Sequence, residues 1–196
     1  MISLRATVFP MLAFLAVLTL VSTAWAGNED YVHSFTGFTF PPKFDGFDRV
    51  KVTPFNEEKS DIEVDYNNSP FTTHLSFYVY PAGDPLKKHY EECCKAVTNA
   101  QPLAKLLEEK SITLTKNGKV YEGYSASYSF KGSFVGKTDQ ELLSQVILFQ
   151  FEHYYVLYRI SYAASDKENA EKQITNFIEK FVWPSEEQKN QAPPLL

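Results

Sequence analysis

Cysteine is almost absent from this chain of 196 residues. The two it has, Cys93 and Cys94, stand side by side in the stretch HYEECCKAV. So small a supply leaves no disulfide framework and no Cys/His spacing of the kind that holds zinc. The pair is also badly placed to bond to itself. Adjacent Cα atoms lie about 3.8 Å apart, below the about 4.4–6.8 Å that disulfides span. Both thiols are therefore predicted reduced and largely buried, behaving as small apolar residues. Histidine is scarce as well. His33, His74, His89 and His153 are scattered, with no two of them at positions i and i+4, so no metal and no cofactor is expected. There is no G-x-S-x-G elbow and no H-E-x-x-H helix, which leaves no local catalytic signature. Internal repeats, low-complexity segments and a linker rich enough to divide the chain are missing too.

What is present begins with a leader. Arg5 supplies a positive start, Phe9 to Val21 form an apolar run broken by Pro10 and Thr19, and Ala24-Trp25-Ala26 is a small-x-small cleavage site. Residues 1–26 are read as a secretory signal peptide. A transmembrane anchor is disfavoured because the run is short and no basic flank follows it. No cysteine adjoins the cleavage point, which disfavours lipid anchoring. The expected location is bacterial, periplasmic or secreted, with no stable membrane anchor once the signal is removed. The mature part holds 18 basic and 24 acidic residues. That balance argues against nucleic acid and against an anionic membrane surface as partners. Residues 27–184 are read as a single globular domain, and 185–196 as a flexible polar and proline-rich tail.

Periodicity changes in blocks along the domain. YVHSFTGFTF is aromatic and β-prone. In FDRVKVTPF, Arg49, Lys51 and Thr53 alternate with Val50 and Val52. In DIEVDYN, Asp61, Glu63 and Asp65 alternate with Ile62, Val64 and Tyr66, and FTTHLSFYVYP alternates in the same way. The period then becomes helical. Asp84 is the expected N-cap with Pro85 at the first helical position, and Leu86, Tyr90, Cys93, Val97 and Ala100 form one apolar stripe. PLAKLLEEK after Pro102 reads as a further helical turn or two. Strands resume with SITLT, a KNGK hairpin turn and VYEGYSASYSF. LSQVILFQFE and YYVLYRISYA, turning near Glu152-His153, are apolar enough to be central strands covered on both faces. A last helix is expected from Ser165 and Glu168 as a capping box, with Ala170, Ile174, Phe177, Ile178 and Phe181 buried, ending at Trp183-Pro184. The fold class is α+β: a mainly antiparallel β-sheet with packed helices, in the order β-β-β-α-β-β-β-β-α.

The order and texture of FTGFTFPPKF, of DIEVDY followed by LSFYVYP, of the middle helix, and of ILFQFEHYYVLYRISYAAS closing on FIEKFVWP resemble the photosystem II extrinsic protein PsbP and the DcrB-like bacterial exported proteins. The resemblance spans nearly the whole mature chain. It implies a PsbP-like α/β sandwich serving assembly, binding or accessory roles. It brings no shared catalytic motif, so no catalytic residue is carried over from it.

Three constellations could carry chemistry. Asp61, Glu63 and Asp65 place three carboxylates on one strand face, with neighbours roughly 7 Å apart. They are a weak cation candidate, weighed against cross-strand pairing with Arg49 and Lys51. His74, Ser76, Ser125, Ser127, Gln150 and Arg159, together with His153, could project from one polar sheet face. Arg159 would then be a fixed fork donor to a small anion or polar ligand. A hydrolytic site would further need a nucleophile within hydrogen-bond reach of a histidine and an orienting acid. Tyr124, Tyr128, Tyr154, Tyr158 and Tyr162 recur at strand period and are read as core rather than as a stacking platform. Asn67-Asn68-Ser69 matches a glycosylation acceptor by accident, given Pro70 and a bacterial leader. The expected function is a non-enzymatic accessory or binding domain of the cell envelope with a protein partner. The alternatives are a small-ligand or cation binder on the polar face, and then a hydrolase with a dispersed site.

Overall fold

The computed structural model describes residues 28–185 except Ser69. The expected leader and all but the first residue of the expected tail lie outside the described residues. The chain enters through β1 (Tyr31–Val32) and β2 (Thr39–Phe40), paired with each other, and β3 (Lys43–Phe44). Three longer strands follow, β4 (Phe47–Pro54), β5 (Ile62–Asn68) and β6 (Thr73–Pro81), and then α1 (Leu86–Ala100). The second half holds β7 (Lys105–Lys116), β8 (Lys119–Phe134), β9 (Lys137–Phe151) and β10 (Tyr154–Ala163). A 3₁₀ turn over Ala164–Asp166 leads into α2 (Lys167–Lys180). The main sheet has eight strands in the order β3-β4-β5-β6-β10-β9-β8-β7, and every pair is antiparallel. This is the expected α+β class and order, with three short strands added at the entry.

The two halves are antiparallel meanders joined by one seam. Along it β10 pairs with β6 from Tyr154↔Pro81 to Tyr162↔Thr73. The helices cross that seam in opposite senses. α1 follows the first meander, yet its Tyr90, Cys93 and Val97 bury against Ala126, Tyr128, Val146 and Leu148 of the second. α2 follows the second meander, yet Phe177 stands edge-on to Phe44, Phe47 and Tyr66 of the first. Phe181, just past α2, packs on Phe38, Phe40 and Phe77. Each such ring taken out of water contributes about 1.5–3 kcal/mol. Neither meander can therefore cover its own apolar face alone.

Local chemistry explains the ends of β7 and α2. Asn117 and Gly118 both take positive φ, 50° and 74°, as a two-residue hairpin turn between right-twisted strands requires. Gly123 lies against Phe149, whose ring would stand 2.5 Å from an added Cβ. Lys116 ends β7 by donating from Nζ to the carbonyls of Ile178 and Glu179, closing the carbonyl end of α2. Asn117 Nδ2 donates to Trp183 O at 2.8 Å.

Four local expectations are corrected. PLAKLLEEK is not helical. The Gln101 N–H bonds to Val97 O, the helix stops before Pro102, and Lys105 onward pairs with β8. The helix-forming Leu, Glu and Lys residues there yield to a ladder of twelve strand positions. Asp84 does not cap α1. Pro85 occupies the N-cap, and Asp84 instead accepts from Lys88 Nζ at 2.7 Å. Ser165 and Glu168 form no capping box, because the 3₁₀ turn moves the N-cap of α2 to Asp166. Arg49 does not share a face with Lys51. A bulge between them turns Arg49 inward opposite Tyr66, where it donates to the carbonyls of Phe40 and Glu29.

Candidate functional site

Strand parity decides which polar side chains meet. In β8, β9 and β10 the residues packed toward α1 include Ala126, Tyr128, Val146, Leu148, Tyr155 and Leu157. Those of the other parity pack toward α2. Arg159 and Ser161 share parity with Tyr155 and Leu157. In register, Arg159 lies between Ser76 and Val146, and Ser161 between His74 and Ser144. Asp65 is opposite Ser76 and Glu63 opposite Tyr78. His74, Ser76, Arg159 and the acidic strand thus converge on the α1 face of the sheet. Ser125 and Ser127 do not join them. Gly123 and Tyr121 mark their parity as the α2 face, where Ser127 lines a separate hollow of about 290 Å³ with Gln145, Tyr162 and Glu171. Gln150 has the right parity but pairs with Tyr155, four residues and about 13 Å along the strand from Arg159. Its Nε2 donates to Glu152 O at 2.8 Å. His153 is exposed in the β9–β10 turn. The single polar face expected from the sequence is therefore two faces. The tyrosines divide in the same way: Tyr124 and Tyr128 lie toward α1, and Tyr158 and Tyr162 toward α2.

The acidic strand is held by hydroxyls. Tyr78 OH donates to Glu63 Oε1, and Ser76 Oγ donates to Asp65 Oδ1 at 2.5 Å. His74 Nε2 lies 3.2 Å from Ser76 Oγ and 3.4 Å from Asp65 Oδ1, and its Nδ1 is 2.7 Å from Asn67 Oδ1. Burial raises the Glu63 pKa, and the neighbouring Asp65 adds to that rise. Burial alone pushes Asp61 up to about 6. Lys51 pairs with Asp65 in register, as the hairpin reading expected. Among the described residues no group of three or more His, Cys, Asp or Glu side chains is arranged to hold a metal ion.

A serine, a histidine and a carboxylate do converge, but they are not connected as a hydrolytic triad. Ser76 is fully buried. Its hydroxyl proton is directed at Asp65, and the acid sits beside the serine instead of behind the imidazole. A triad needs an accessible oxygen whose proton the histidine can take. A second catalytic-looking set lies on α1. Cys93 Sγ stands 3.7 Å from His89 Nε2, and His89 Nδ1 is 3.5 Å from Glu92 Oε2. Four residues separate His89 and Cys93, a helical spacing that comparing histidines only with one another passes over. The imidazole lies flat on Tyr155, at 4.1 Å and 7°, and Nε2 is 2.7 Å from Tyr80 OH. Burial pushes the Cys93 thiol up to about 11, so the thiolate is scarce. Cys94 is half-buried beside it.

Arg159 is the unbalanced member of the α1 face. Its Nε is shut from solvent and has no hydrogen-bond partner among the described residues. Burial lowers its pKa, and the groups that oppose this are Tyr78, Cys93, Tyr128 and Cys94. None of these is a carboxylate. Burial, the largest cause in each case, holds Tyr78 and Tyr128 above the usual tyrosine range.

The fold itself has solved counterparts. CyanoP, the cyanobacterial PsbP of Synechocystis, superposes over 86% of this chain and 99% of its own, with a TM-score of 0.50 at 14% identity. This is a PsbP-like fold. A protein of unknown function from Pseudomonas aeruginosa matches 80% of this chain and 97% of its own, with a TM-score of 0.46 at 11% identity. The Ran-binding protein Mog1p of Saccharomyces cerevisiae matches 85% and 88%, with a TM-score of 0.40 at 14% identity. No family model matches the sequence, and no curated protein matches it. At such identities the PsbP-like likeness establishes architecture alone. Among the described residues no helix is long and apolar enough to cross a membrane.

Proposed function

We propose that this chain is a non-enzymatic accessory or binding domain of the bacterial cell envelope. One observation carries the reading. The convergence of serine, histidine and acid on the sheet is closed on itself, with Ser76 buried and its hydroxyl given to Asp65. The thiol beside His89 is equally withdrawn. Export is supported by the three-part leader in the sequence. The test is turnover of activated model esters by the mature chain, compared with Ser76→Ala. The expected result is no difference between the two. A wild-type rate that falls in Ser76→Ala by the about 10²-fold or more that loss of a nucleophile causes would overturn the reading. Affinity capture from envelope extract is expected to return one reproducible protein partner, and N-terminal sequencing of the exported form is expected to begin at Gly27.

A further inference from the structure

We infer that Arg159 anchors a binding site for an oxyanion group, a carboxylate or phosphate carried by a small ligand. The site lies on the α1 face at the seam between the two meanders. The inference rests on the reading of the chain as a binding domain and supplies a ligand class for it.

An Nε–H shut off from water with no acceptor is unfavourable, and an oxyanion lying against that edge of the guanidinium would supply one. No ion pair joins Arg159 to a carboxylate among the described residues. The carboxylates across the seam have other partners: Asp65 accepts from Ser76 and faces His74, and Glu63 accepts from Tyr78. Ser161, His74 and Ser144 form a cross-strand row two residues along from Arg159, and Tyr128 follows Ser144 on β8. Neighbouring strands are about 4.8 Å apart and successive same-face residues about 7 Å apart, within the reach of an arginine side chain. One fork donor beside two serine hydroxyls is a set suited to oxyanions. Arg159 is half-buried, not buried, so closure of Nε leaves other parts of the side chain at the surface. His74 opens beside it, with 21% of its side chain exposed.

The experiment titrates the mature chain with inorganic phosphate and, separately, with citrate at constant ionic strength. Sodium chloride is the control, and binding is read by calorimetry and melting temperature. One or both oxyanions should bind and raise the melting temperature, while chloride does neither. Arg159→Gln should weaken the binding at least about tenfold, as loss of a charge-assisted bidentate contact does. Arg159→Lys should retain part of it. Ser161→Ala should weaken it by a smaller factor, and Ser125→Ala, on the opposite face, should leave it unchanged. A response to phosphate alone points to a phosphorylated ligand, and a response to citrate alone to an organic acid. Absence of binding by both overturns the site, as does binding that survives in both Arg159→Gln and Ser161→Ala. The non-enzymatic reading fails separately, through Ser76-dependent turnover.

Discussion

His33 shows how one side chain ties stability to pH. It is fully buried, its Nδ1 lies 2.7 Å from Thr36 Oγ1, and its Nε2 has no hydrogen-bond partner. Burial pulls its pKa down to about 4, and the nearby Lys59 and Ser60 carbonyls oppose the shift without making a bond of normal geometry to Nε2. The unfolded chain takes up this proton near pH 6.5, and the folded chain only near 4. The contribution of neutral His33 is therefore complete above pH 6.5 and is lost as pH falls toward 4. Asp61 works in the opposite sense. Its folded pKa is raised to about 6, so acid relieves its burial over part of the same window. His33→Phe isolates the first effect. The stability of the variant minus that of the wild type, from urea melts, should grow by about 2–3 kcal/mol between pH 7 and pH 4. The cysteines give a second prediction at this scale. In the native protein a thiol reagent should label Cys94 slowly and Cys93 not at all. Cys94→Ser should abolish native labelling, and denaturant should restore labelling at Cys93.

At the scale of elements, Gly123 and Lys116 carry the clearest predictions. In Gly123→Ala the added carbon would meet the Phe149 ring at 2.5 Å and Leu148 O at 2.6 Å. The backbone oxygen cannot give way, so the central sheet should lose about 1–3 kcal/mol, measured as a lower urea midpoint. Lys116→Met removes the donor that closes α2 against β7, and should cost about 1–2 kcal/mol through its two carbonyls. The elements legible in the sequence were those whose local pattern and tertiary role agree. The DIEVDY alternation, the Asn117-Gly118 turn and the doubly covered β9 and β10 appear as read, as does the α1 stripe over Tyr90, Cys93 and Val97, while Leu86 is half-buried and Ala100 is exposed. Where they disagree, tertiary pairing wins: KLLEEK favours a helix by composition but fills the sheet edge beside β8. The polar site was legible only in part for a related reason. Within one strand, parity can be read directly, which is why His74 and Ser76 stay together. Between strands, parity depends on register. Nothing local in VYEGYSASYSF states that Ser125 and Ser127 face α2 while Arg159 faces α1. Tyr78 shares parity with Ser76 and Ser161 with Arg159 on their own strands, whereas Ser144 joins the site only through the register of β9 with β10.

At the scale of the molecule, exchanged helices bind the two meanders together. α1 covers strands of the second, and α2 and Phe181 cover strands of the first. Loss of either helix uncovers a face belonging to the other half. Thermal unfolding should accordingly be one transition, with far-UV and near-UV circular dichroism coincident. A midpoint that differs between the two signals would show that the halves separate.

The seam between β6 and β10 also makes the protein divisible. The connection from α1 to β7 is short, and Pro102 and Leu103 in it are exposed. Cutting the chain there would yield two polypeptides, each ending its own meander yet lacking the helix that shields it. Alone, each would present a bare apolar sheet and aggregate. Expressed together, they would find each other by a reciprocal exchange of helices and an in-register seam. The protein would then behave as an obligate heterodimer encoded in a single gene.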